Sequence, residues 1–354
     1  MPKLSPTMLF SAMATTACCL VAAPPDSLPR ADSNSVPAGS FITFLGTGSS
    51  TGCPRPACLY TSTPSRPALA SKICAVSRFA AAGNPLTNPN YRNNPSLLIS
   101  YNPTRDPNQR SNIIIDAGKT FRETLIRWLP TLSISGVDAL ILTHEHMDAF
   151  GGLDDVRGMQ ARSADGLAPM PVYLNHCTFN VVKKTFPYLI PKPVDPNAEV
   201  RMVAALDFIN IKPFSPFSPA PNLSITPLPL VHGEDCVCLG FAFGSAQSVL
   251  YLSDLSRMPD DTAAYITEAG LKKRPEVLVI DALHMKYEHN THLSLAGAAK
   301  LIREIHPKKA FLVGMGCDSF PPHHEANIML KEMFKDDGID VQLARDGLTV
   351  AVDL

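Results

Sequence analysis

The sequence has no excess of charge of either sign. Its 31 lysine and arginine residues are balanced by 32 aspartate and glutamate residues, and the formal net charge is −1. The short basic runs, Lys183-Lys184, Lys272-Lys273-Arg274 and Lys308-Lys309, are scattered along the chain. Binding to nucleic acid through its phosphates requires a concentrated basic surface. We therefore expect no clear nucleic-acid surface in this protein.

Long apolar runs are absent as well. No stretch of uninterrupted apolar residues reaches the length of a membrane span. The segment from Leu9 to Ala23 is apolar and rich in small residues, but it lacks the cationic or arginine-rich pattern of a targeting sequence. We interpret residues 1–38 as a disordered tail and expect a cytoplasmic protein that does not contact a membrane. A weak secretory or mitochondrial targeting segment is the alternative interpretation.

Cysteine is not arranged as in a disulfide framework. The chain has nine cysteines, an odd number with no dense, regular spacing. Small secreted proteins use even numbers of closely spaced cysteines, so reduced thiols are expected here, some of them metal-bound. The composition is 45% hydrophobic and 18% charged, which is ordinary for a globular protein with a sizeable core.

The most informative stretch is Thr143-His144-Glu145-His146-Met147-Asp148. It follows the apolar run 137–142, which predicts a buried strand, so the polar cluster lies where a strand leaves its sheet. Histidines two positions apart cannot share a helix face, but on a turn both can point into one cavity and bind one metal ion. Asp148 begins an amphipathic stretch, 148–160, where a carboxylate suits the positive end of a helix. The alternative is that two surface histidines lie beside two acids. The position favours a functional site, because α/β folds usually carry their functional residues at the carboxyl ends of strands.

Apolar and alternating runs predict short strands separated by helices. The predicted strands are 41–45, 96–100, 112–115, 137–142, 171–174, 223–230, 237–243, 248–252, 277–280, 310–313 and 347–352, and helices are predicted over 119–129, 176–186 and 293–306. The proline-rich residues 191–221 have little periodicity and predict a long connection, either a lid or an edge decoration. Two similar halves of this kind predict an α/β fold with two facing sheets and helices outside.

The motif around His144 resembles the T-H-x-H-x-D-H signature of metallo-β-lactamase-fold hydrolases, which carry one or two metal ions. The turn Gly46-Thr47-Gly48-Ser49-Ser50 resembles the opening of the phosphodiesterase branch, which includes tRNase Z and the cyclic phosphodiesterase of bacterial phosphonate breakdown. The run from Gly151 to Arg157 resembles eukaryotic relatives of the phosphonate enzyme. The resemblance implies a four-layer αββα sandwich over residues 39–354.

The resemblance also implies the metal ligands. His232 and Asp254 follow predicted strands and match the family's third histidine and its bridging aspartate, and zinc needs such donors from several elements. Cys317 stands at the position of the family's last histidine, and a thiolate favours zinc over manganese. Ala149 stands where most members have a histidine for the second metal. We expect one firmly bound Zn²⁺ and a second, weak or absent ion, with Mn²⁺ as an alternative cation. The predicted ligands are His144, His146, Asp148, His232, Asp254 and Cys317.

Two residues are predicted to be catalytic. Asp148 would orient the nucleophile and accept its proton. His292 resembles the histidine that protonates the leaving oxygen in phosphodiesterase members, and its ordinary pKa suits that task; a surface histidine at a helix end is the alternative. Asp116, at a strand end before Gly118, resembles the acid that braces the metal loop, and it could equally cap the next helix.

A second metal site is left open by the sequence. In the phosphonate enzyme, closely spaced cysteines and a histidine hold a structural zinc ion. Here the insert 51–94 carries Cys53, Cys58 and Cys74 at looser spacing. A structural zinc ion bound by Cys58, Cys74 and either His323 or His324 is one interpretation, and three free thiols are the other.

The sequence and the resemblance together predict a metal-dependent phosphodiesterase that uses a zinc-bound hydroxide on a small phosphodiester or cyclic phosphate. Hydrolysis of tRNA 3′ ends or of a thioester by the same fold is the alternative within the class, and the near-neutral charge weighs against tRNA. Outside the class of hydrolases, the alternative is a non-catalytic relative that binds a metal ion. The sequence predicts no oligomeric state.

Overall fold

The computed structural model describes residues 36–60, 74–160, 162–163, 166–191, 204–270 and 274–354. Most of the predicted tail, 1–38, therefore lies outside the described residues. No helix among the described residues is both long enough and apolar enough to cross a membrane.

The described residues form sixteen strands and seven α-helices, each kind numbered in chain order. The strands are β1 (Phe41–Gly46), β2 (Ser96–Tyr101), β3 (Ser111–Ile115), β4 (Ala139–Ile141), β5 (Arg162–Ser163), β6 (Gly166–Leu167), β7 (Met170–Leu174), β8 (Leu206–Asn210), β9 (Phe217–Ala220), β10 (Leu223–Val231), β11 (Val237–Phe243), β12 (Val249–Leu252), β13 (Val277–Asp281), β14 (Lys309–Val313), β15 (Asp340–Leu343) and β16 (Thr349–Ala351). The helices are α1 (Ala75–Ala82), α2 (Phe121–Trp128), α3 (Met147–Phe150), α4 (His176–Thr185), α5 (Asp260–Ala264), α6 (Leu295–Ile305) and α7 (His323–Met333).

Two seven-stranded mixed sheets form the body of the described chain. The first has the order β16-β1-β2-β3-β4-β7-β8, and the second has the order β15-β14-β13-β12-β11-β10-β9. Side chains from both sheets, among them Phe44, Ile99, Phe241 and Phe311, form one buried cluster between them. The outer faces are covered by helices, which bury Trp128 of α2 against the first sheet and Ile302 of α6 in the core of the second. The predicted four-layer α/β sandwich is confirmed.

The site is positioned by the direction of the strands. β1, β3 and β4 run one way in the first sheet, and β10, β12, β13 and β14 run one way in the second. The loops after these strands meet at one edge of the sandwich, where the Leu239 N–H donates to the Thr143 carbonyl at 2.9 Å and the Gly314 N–H to the Thr47 carbonyl at 3.0 Å. Polar residues at these strand ends are therefore brought together.

Two local predictions are wrong. Residues 191–221 are not one long connection, because they contain β8 and β9. The stretch 148–160 is not one helix: α3 ends at Phe150, and a 3₁₀ helix covers Leu153–Met159. Gly152 lies in the break, where an added Cβ would come within 2.3 Å of the Gly118 carbonyl oxygen, so the chain approaches a neighbouring backbone too closely for any other residue.

Candidate metal centre

Three histidines converge at the edge where the strands end. His144 and His146 follow β4, and His232 follows β10. Their ring centroids are 4.6 Å (His144 to His146), 5.0 Å (His144 to His232) and 4.9 Å (His146 to His232) apart. One nitrogen from each ring lies within 4.8 Å of the others, a spacing at which they can hold one metal ion. The structure thus brings together the three imidazoles that the sequence predicted.

Hydrogen bonds orient the ring of His144 for metal binding. The Thr143 hydroxyl donates to the Asp116 carboxylate at 2.9 Å, so its oxygen accepts from His144 Nδ1 at 2.8 Å. This leaves His144 Nε2 as the lone-pair nitrogen, and that atom is buried without a hydrogen-bond partner among the described residues. Burial lowers the pKa of His144 to about 3, so the ring is neutral. An outer hydrogen bond that fixes the tautomer is typical of a metal-ligating histidine.

His232 is oriented in a similar way. Its Nδ1 donates to the Thr291 carbonyl at 2.6 Å, and its Nε2 lies 3.1 Å from Nδ1 of His146. Burial is the main cause that lowers the pKa of His232, so its Nε2 carries a lone pair near neutral pH. Two ring nitrogens that face each other at this distance share either a proton or a metal ion.

Asp116 braces the metal loop, which is one of its two predicted roles. It follows β3 with a positive φ of 65° and is 1% exposed. Its carboxylate accepts from the Thr143 backbone N–H at 2.8 Å as well as from the hydroxyl. The residue at the N-cap of α2 is Thr120, so Asp116 does not have the capping role.

Two further carboxylates face the histidines. Asp254 follows β12 and Asp148 lies on α3, and they are 3% and 8% exposed. Burial opposes the ionisation of Asp254, but the imidazoles, that of His144 first, outweigh it and hold the pKa of Asp254 below its ordinary value. Burial, together with the charge of Asp254, raises the pKa of Asp148. Two buried carboxylates beside three imidazoles suit a divalent cation.

His292 joins the group from the second sheet. Its ring centroid is 4.8 Å from that of His232, and its Nδ1 is 3.7 Å from Oδ1 of Asp254. Its closest partner is Asp281, whose Oδ2 lies 2.9 Å from the same nitrogen. Burial lowers the pKa of His292, but the carboxylates, Asp281 first, outweigh burial and raise it to about 9.

Asp281 was not predicted from the sequence. It ends β13 and has no exposed surface, and its Oδ2 also accepts from the Leu293 backbone N–H at 3.2 Å. Burial raises the pKa of Asp281 to about 6, while the pairing with His292 opposes that rise. The signal was available, because an acid at the end of an apolar strand is the same pattern that identified Asp116 and Asp254.

Cys317 is not a ligand of this centre, and that prediction is wrong. Its sulfur lies 3.8 Å from Cys58 Sγ and accepts from the Ser77 hydroxyl at 3.1 Å. After β14 the chain bends at Gly314, where φ is 76°, and then Met315 is bridged to Gly48 and the Gly316 N–H donates to the Leu283 carbonyl at 2.9 Å. This path carries residue 317 past the histidines. Ala149 is buried, and its methyl side chain offers no donor to a second ion.

Of the residues predicted to bind a structural zinc ion, the two cysteines lie together and the two histidines lie apart from them. The sulfur atoms of Cys58, Cys74 and Cys317 lie within 4.8 Å of one another. His323, the first residue of α7, is not in that group, and its Nε2 is 3.0 Å from the Asn327 side-chain nitrogen. Among the described residues, His324 is not in the group either.

A polar cavity of about 340 Å³ opens in front of the histidines. Besides ligand residues its lining includes the carboxylate of Asp318, which pairs with Arg55, and side chains that can donate hydrogen bonds: Ser49, Ser50, Thr51, Arg55, His284 and His289. The glycine turn is held in place because the Asn94 amide donates to the Ser49 and Ser50 carbonyls at 3.1 and 3.0 Å. A cavity of this size and polarity suits a small, charged substrate.

Comparison with known proteins agrees with this geometry. The family model described as the β-lactamase superfamily domain matches residues 111–315, which are 205 of the 354 residues. An octanoyltransferase of Porphyromonas gingivalis is 26% identical over 309 residues, 84% of this chain and 52% of that protein. The chain thus spans about half the length of the curated relative it matches.

Two solved structures are similar over most of their length. A diphosphatase from the PhnP family is 27% identical, with a TM-score of 0.65 over 89% of this chain and 98% of the other. Zn²⁺-bound PqqB from Methylobacterium extorquens is 15% identical, with a TM-score of 0.62 over 88% of this chain and 100% of the other, and it shares the fold.

Proposed function

Since the chain belongs to the metallo-β-lactamase superfamily of hydrolases, we propose that it hydrolyses small phosphodiesters with the help of zinc. The observation that carries this proposal is the position of His292, a buried, paired imidazole that lines the cavity beside the three metal-binding histidines. A poor leaving group departs more readily when a proton donor serves its oxygen. Three imidazoles outside the metal-binding set line the cavity, those of His284, His289 and His292, and His292 is the one that pairs with the buried Asp281.

The donors fit a zinc ion. His144, His146 and His232 would supply imidazole nitrogens, and Asp148 and Asp254 would supply carboxylate oxygens. Imidazole with carboxylate suits Zn²⁺, and Mn²⁺ is the alternative cation for such a set. When bound, the ion would provide Lewis acidity toward a phosphoryl oxygen and would favour deprotonation of water.

Asp148 and His292 divide the proton transfers. Asp148 lines the cavity, and its carboxylate can orient an attacking water molecule and accept its proton. His292 is held in its protonated form because Asp281 stabilises the positive charge at Nδ1. Its Nε2–H is then free to protonate the alcohol or phosphate that leaves.

The substrate would be small and anionic. The hydroxyls of Ser49 and Thr51, together with His289 and with Arg55, whose guanidinium is held by Asp318, would supply donors for phosphoryl oxygens that are not attacked. The similarity to a diphosphatase supports esters of diphosphate as well as simple diesters and cyclic phosphates. A cavity of about 340 Å³ and a formal net charge of −1 favour such substrates over tRNA.

The test is turnover by the purified full chain after loading with Zn²⁺ or Mn²⁺. The substrates are bis(p-nitrophenyl) phosphate, a cyclic nucleotide, a dinucleoside diphosphate and an acyl thioester. We expect hydrolysis of at least one phosphate ester, lost in His144→Ala and kept in His324→Ala, which removes an exposed imidazole on α7. Thioester cleavage without phosphodiester cleavage would favour the rival hydrolase, and no turnover by metal-loaded protein would favour a binding module.

A further inference from the structure

The two oxygens of the Asp281 carboxylate have different surroundings. Oδ2 lies 2.9 Å from His292 Nδ1 and accepts from the Leu293 backbone N–H at 3.2 Å. Oδ1 has no hydrogen-bond partner within the ranges that the structure describes, and the residue has no exposed surface. The torsion that sets the plane of an aspartate carboxylate is broad, so the side chain alone does not fix its orientation. The group that lies against Oδ1 therefore helps to decide where the carboxylate sits.

Gly314 lies against that oxygen. A Cβ added at Gly314 would come within 2.5 Å of Asp281 Oδ1, which is far inside van der Waals contact. Outside Asp281 and the chain neighbours of Gly314, the nearest atom to that Cβ would be the Ser253 carbonyl oxygen, at 4.0 Å. The space that a side chain would need at position 314 is thus the space that the Asp281 carboxylate occupies.

The backbone around Gly314 is held in place. β13 and β14 pair in parallel as far as Asp281 and Val313, and the Ala282 N–H donates to the Val313 carbonyl at 2.9 Å. The Gly314 N–H donates to the Thr47 carbonyl, in the glycine turn after β1, at 3.0 Å. The end of a side chain relieves a collision more easily than a backbone that is bonded on both sides. A side chain at position 314 would therefore displace the Asp281 carboxylate and leave the strand in place.

We propose that Gly314 is a positioning residue, because its lack of a side chain leaves the Asp281 carboxylate the place from which it orients the His292 ring. The inference rests on the proposed function, in which His292 protonates the leaving oxygen. Gly314 would touch neither substrate nor metal ion, and it would act through Asp281 and then His292. A displaced carboxylate would let the ring rotate, so the proton donor would be aligned in only part of the molecules.

The alternative is that position 314 needs glycine for its backbone alone. Its φ is 76°, in the left-handed region that disfavours other residues. Gly338 separates the two explanations, because its φ of 64° is similar while a Cβ there meets nothing within 4 Å. Alanine at either position incurs comparable backbone strain, and only at position 314 does it also reach the Asp281 carboxylate. Gly338→Ala is therefore the control for Gly314→Ala.

Kinetics of the zinc-loaded full chain test the inference with two substrates. The first is a cyclic nucleotide, whose leaving group is an alkoxide, and the second is bis(p-nitrophenyl) phosphate, whose leaving group needs little protonation. For Gly314→Ala we expect kcat with the cyclic nucleotide to fall by about 10- to 10²-fold, while KM and metal content stay close to the wild type. The fall with the second substrate should be much smaller. Gly338→Ala should retain the wild-type kcat with both.

Proton NMR of the same zinc-loaded protein reports the pairing without turnover. An imidazole N–H that donates to a buried carboxylate gives a resonance far downfield, and its absence from His292→Ala assigns it to this pair. The resonance should be lost or moved upfield in Gly314→Ala and unchanged in Gly338→Ala. A wild type that hydrolyses no phosphate ester would contradict the proposed function, and this resonance in the two glycine variants would still decide the role of Gly314.

A double substitution identifies the contact itself. Asp281→Ala removes the carboxylate with which the new Cβ collides, so adding Gly314→Ala to it should lower kcat no further. If Gly314→Ala does not fold alone, the double variant should fold, because the collision is relieved. A double variant that does not fold where Asp281→Ala does would overturn the inference.

Three other outcomes contradict the role of Gly314. The first is that Gly314→Ala and Gly338→Ala have equal effects on kcat and on the downfield resonance. The second is that Gly314→Ala loses kcat equally with both substrates. The third is that the losses from Gly314→Ala and Asp281→Ala multiply in the double variant, since independent effects would mean that Gly314 does not act through Asp281. A wild type without the downfield resonance would contradict the pairing on which the inference depends.

Discussion

The Nδ1 atom of His292 lies 2.9 Å from Oδ2 of Asp281, a carboxylate with no exposed surface. Asp281 ends β13, and the same oxygen accepts from the Leu293 backbone N–H, so one buried atom fixes both the ring and the start of the segment that leads into α6. The pairing keeps His292 positively charged and leaves its other nitrogen directed away from Asp281. Asp281 is therefore a positioning residue that acts on the substrate only through His292.

Asp281→Asn should lower turnover and move its pH dependence. An amide can still accept a hydrogen bond from His292, but it removes the negative charge that stabilises the protonated ring. The pKa of His292, raised to about 9 in the wild type, should fall, so the decline in kcat at alkaline pH should begin at a lower pH. We expect kcat to fall by up to about 10²-fold at pH 8, less than on loss of His292 itself.

Profiles of kcat against pH check this prediction. Asp207→Asn, a change at an exposed carboxylate on β8, should leave the alkaline decline in place. An Asp281→Asn profile that loses height at every pH without moving would mean that Asp281 only supports the fold.

The loss of turnover caused by His292→Ala should depend on the leaving group of the substrate. If His292 protonates the departing oxygen, its loss costs about 10²- to 10⁴-fold with an alkoxide leaving group. A p-nitrophenolate leaving group needs little protonation, so the loss with bis(p-nitrophenyl) phosphate should be much smaller. The ratio of the two losses is the measurement, and metal content should stay at the wild-type level. Equal losses with both substrates would show that His292 serves another purpose.

Much of the metal centre was predictable because its residues follow apolar strands. His144, His146, His232 and Asp254 each come shortly after a run of buried residues, and the ends of parallel strands meet at one edge of a sheet. Asp281 obeys the same rule but belongs to no short motif, so nothing in the sequence linked it to His292.

The errors have physical causes as well. The placement of Cys317 depended on which way the chain turns after Gly316, and that turn is set by backbone pairing with Gly48 and Leu283, which no local pattern encodes. Strand β9 contains Pro219, which argued against a strand, yet β9 is at the edge of its sheet, where a missing N–H is tolerated.

Gly118→Ala should disturb the metal loop. An added Cβ would lie 1.9 Å from the Asp148 backbone oxygen, so α3 must shift and carry the Asp148 carboxylate with it. Overpacking of this kind costs about 1–3 kcal/mol in the free energy of unfolding, which urea titration measures. Metal affinity should weaken too. Gly136→Ala is the matched control, because a Cβ there meets nothing within 4 Å, and equal behaviour of the two variants would contradict the prediction.

Asp346→Asn should remove part of the dependence of stability on pH. Burial raises the pKa of Asp346 to about 7 in the folded chain, against about 3.9 in the unfolded chain, so the folded state holds the proton more tightly. The stability due to this group is then fully present below about pH 4 and is lost as the pH rises through about 7. Asparagine resembles the protonated acid, because its amide can donate to the Thr47 hydroxyl while its carbonyl accepts from the Asn93 N–H.

The measurement is the difference in unfolding free energy between the wild type and Asp346→Asn at several pH values. Other buried carboxylates titrate in both proteins, so their contributions cancel in this difference. We expect the substitution to be neutral in effect at pH 4 and to stabilise the chain relative to the wild type at pH 8. A difference that is constant with pH, or that favours the wild type at pH 8, would mean that Asp346 is ionised in the fold.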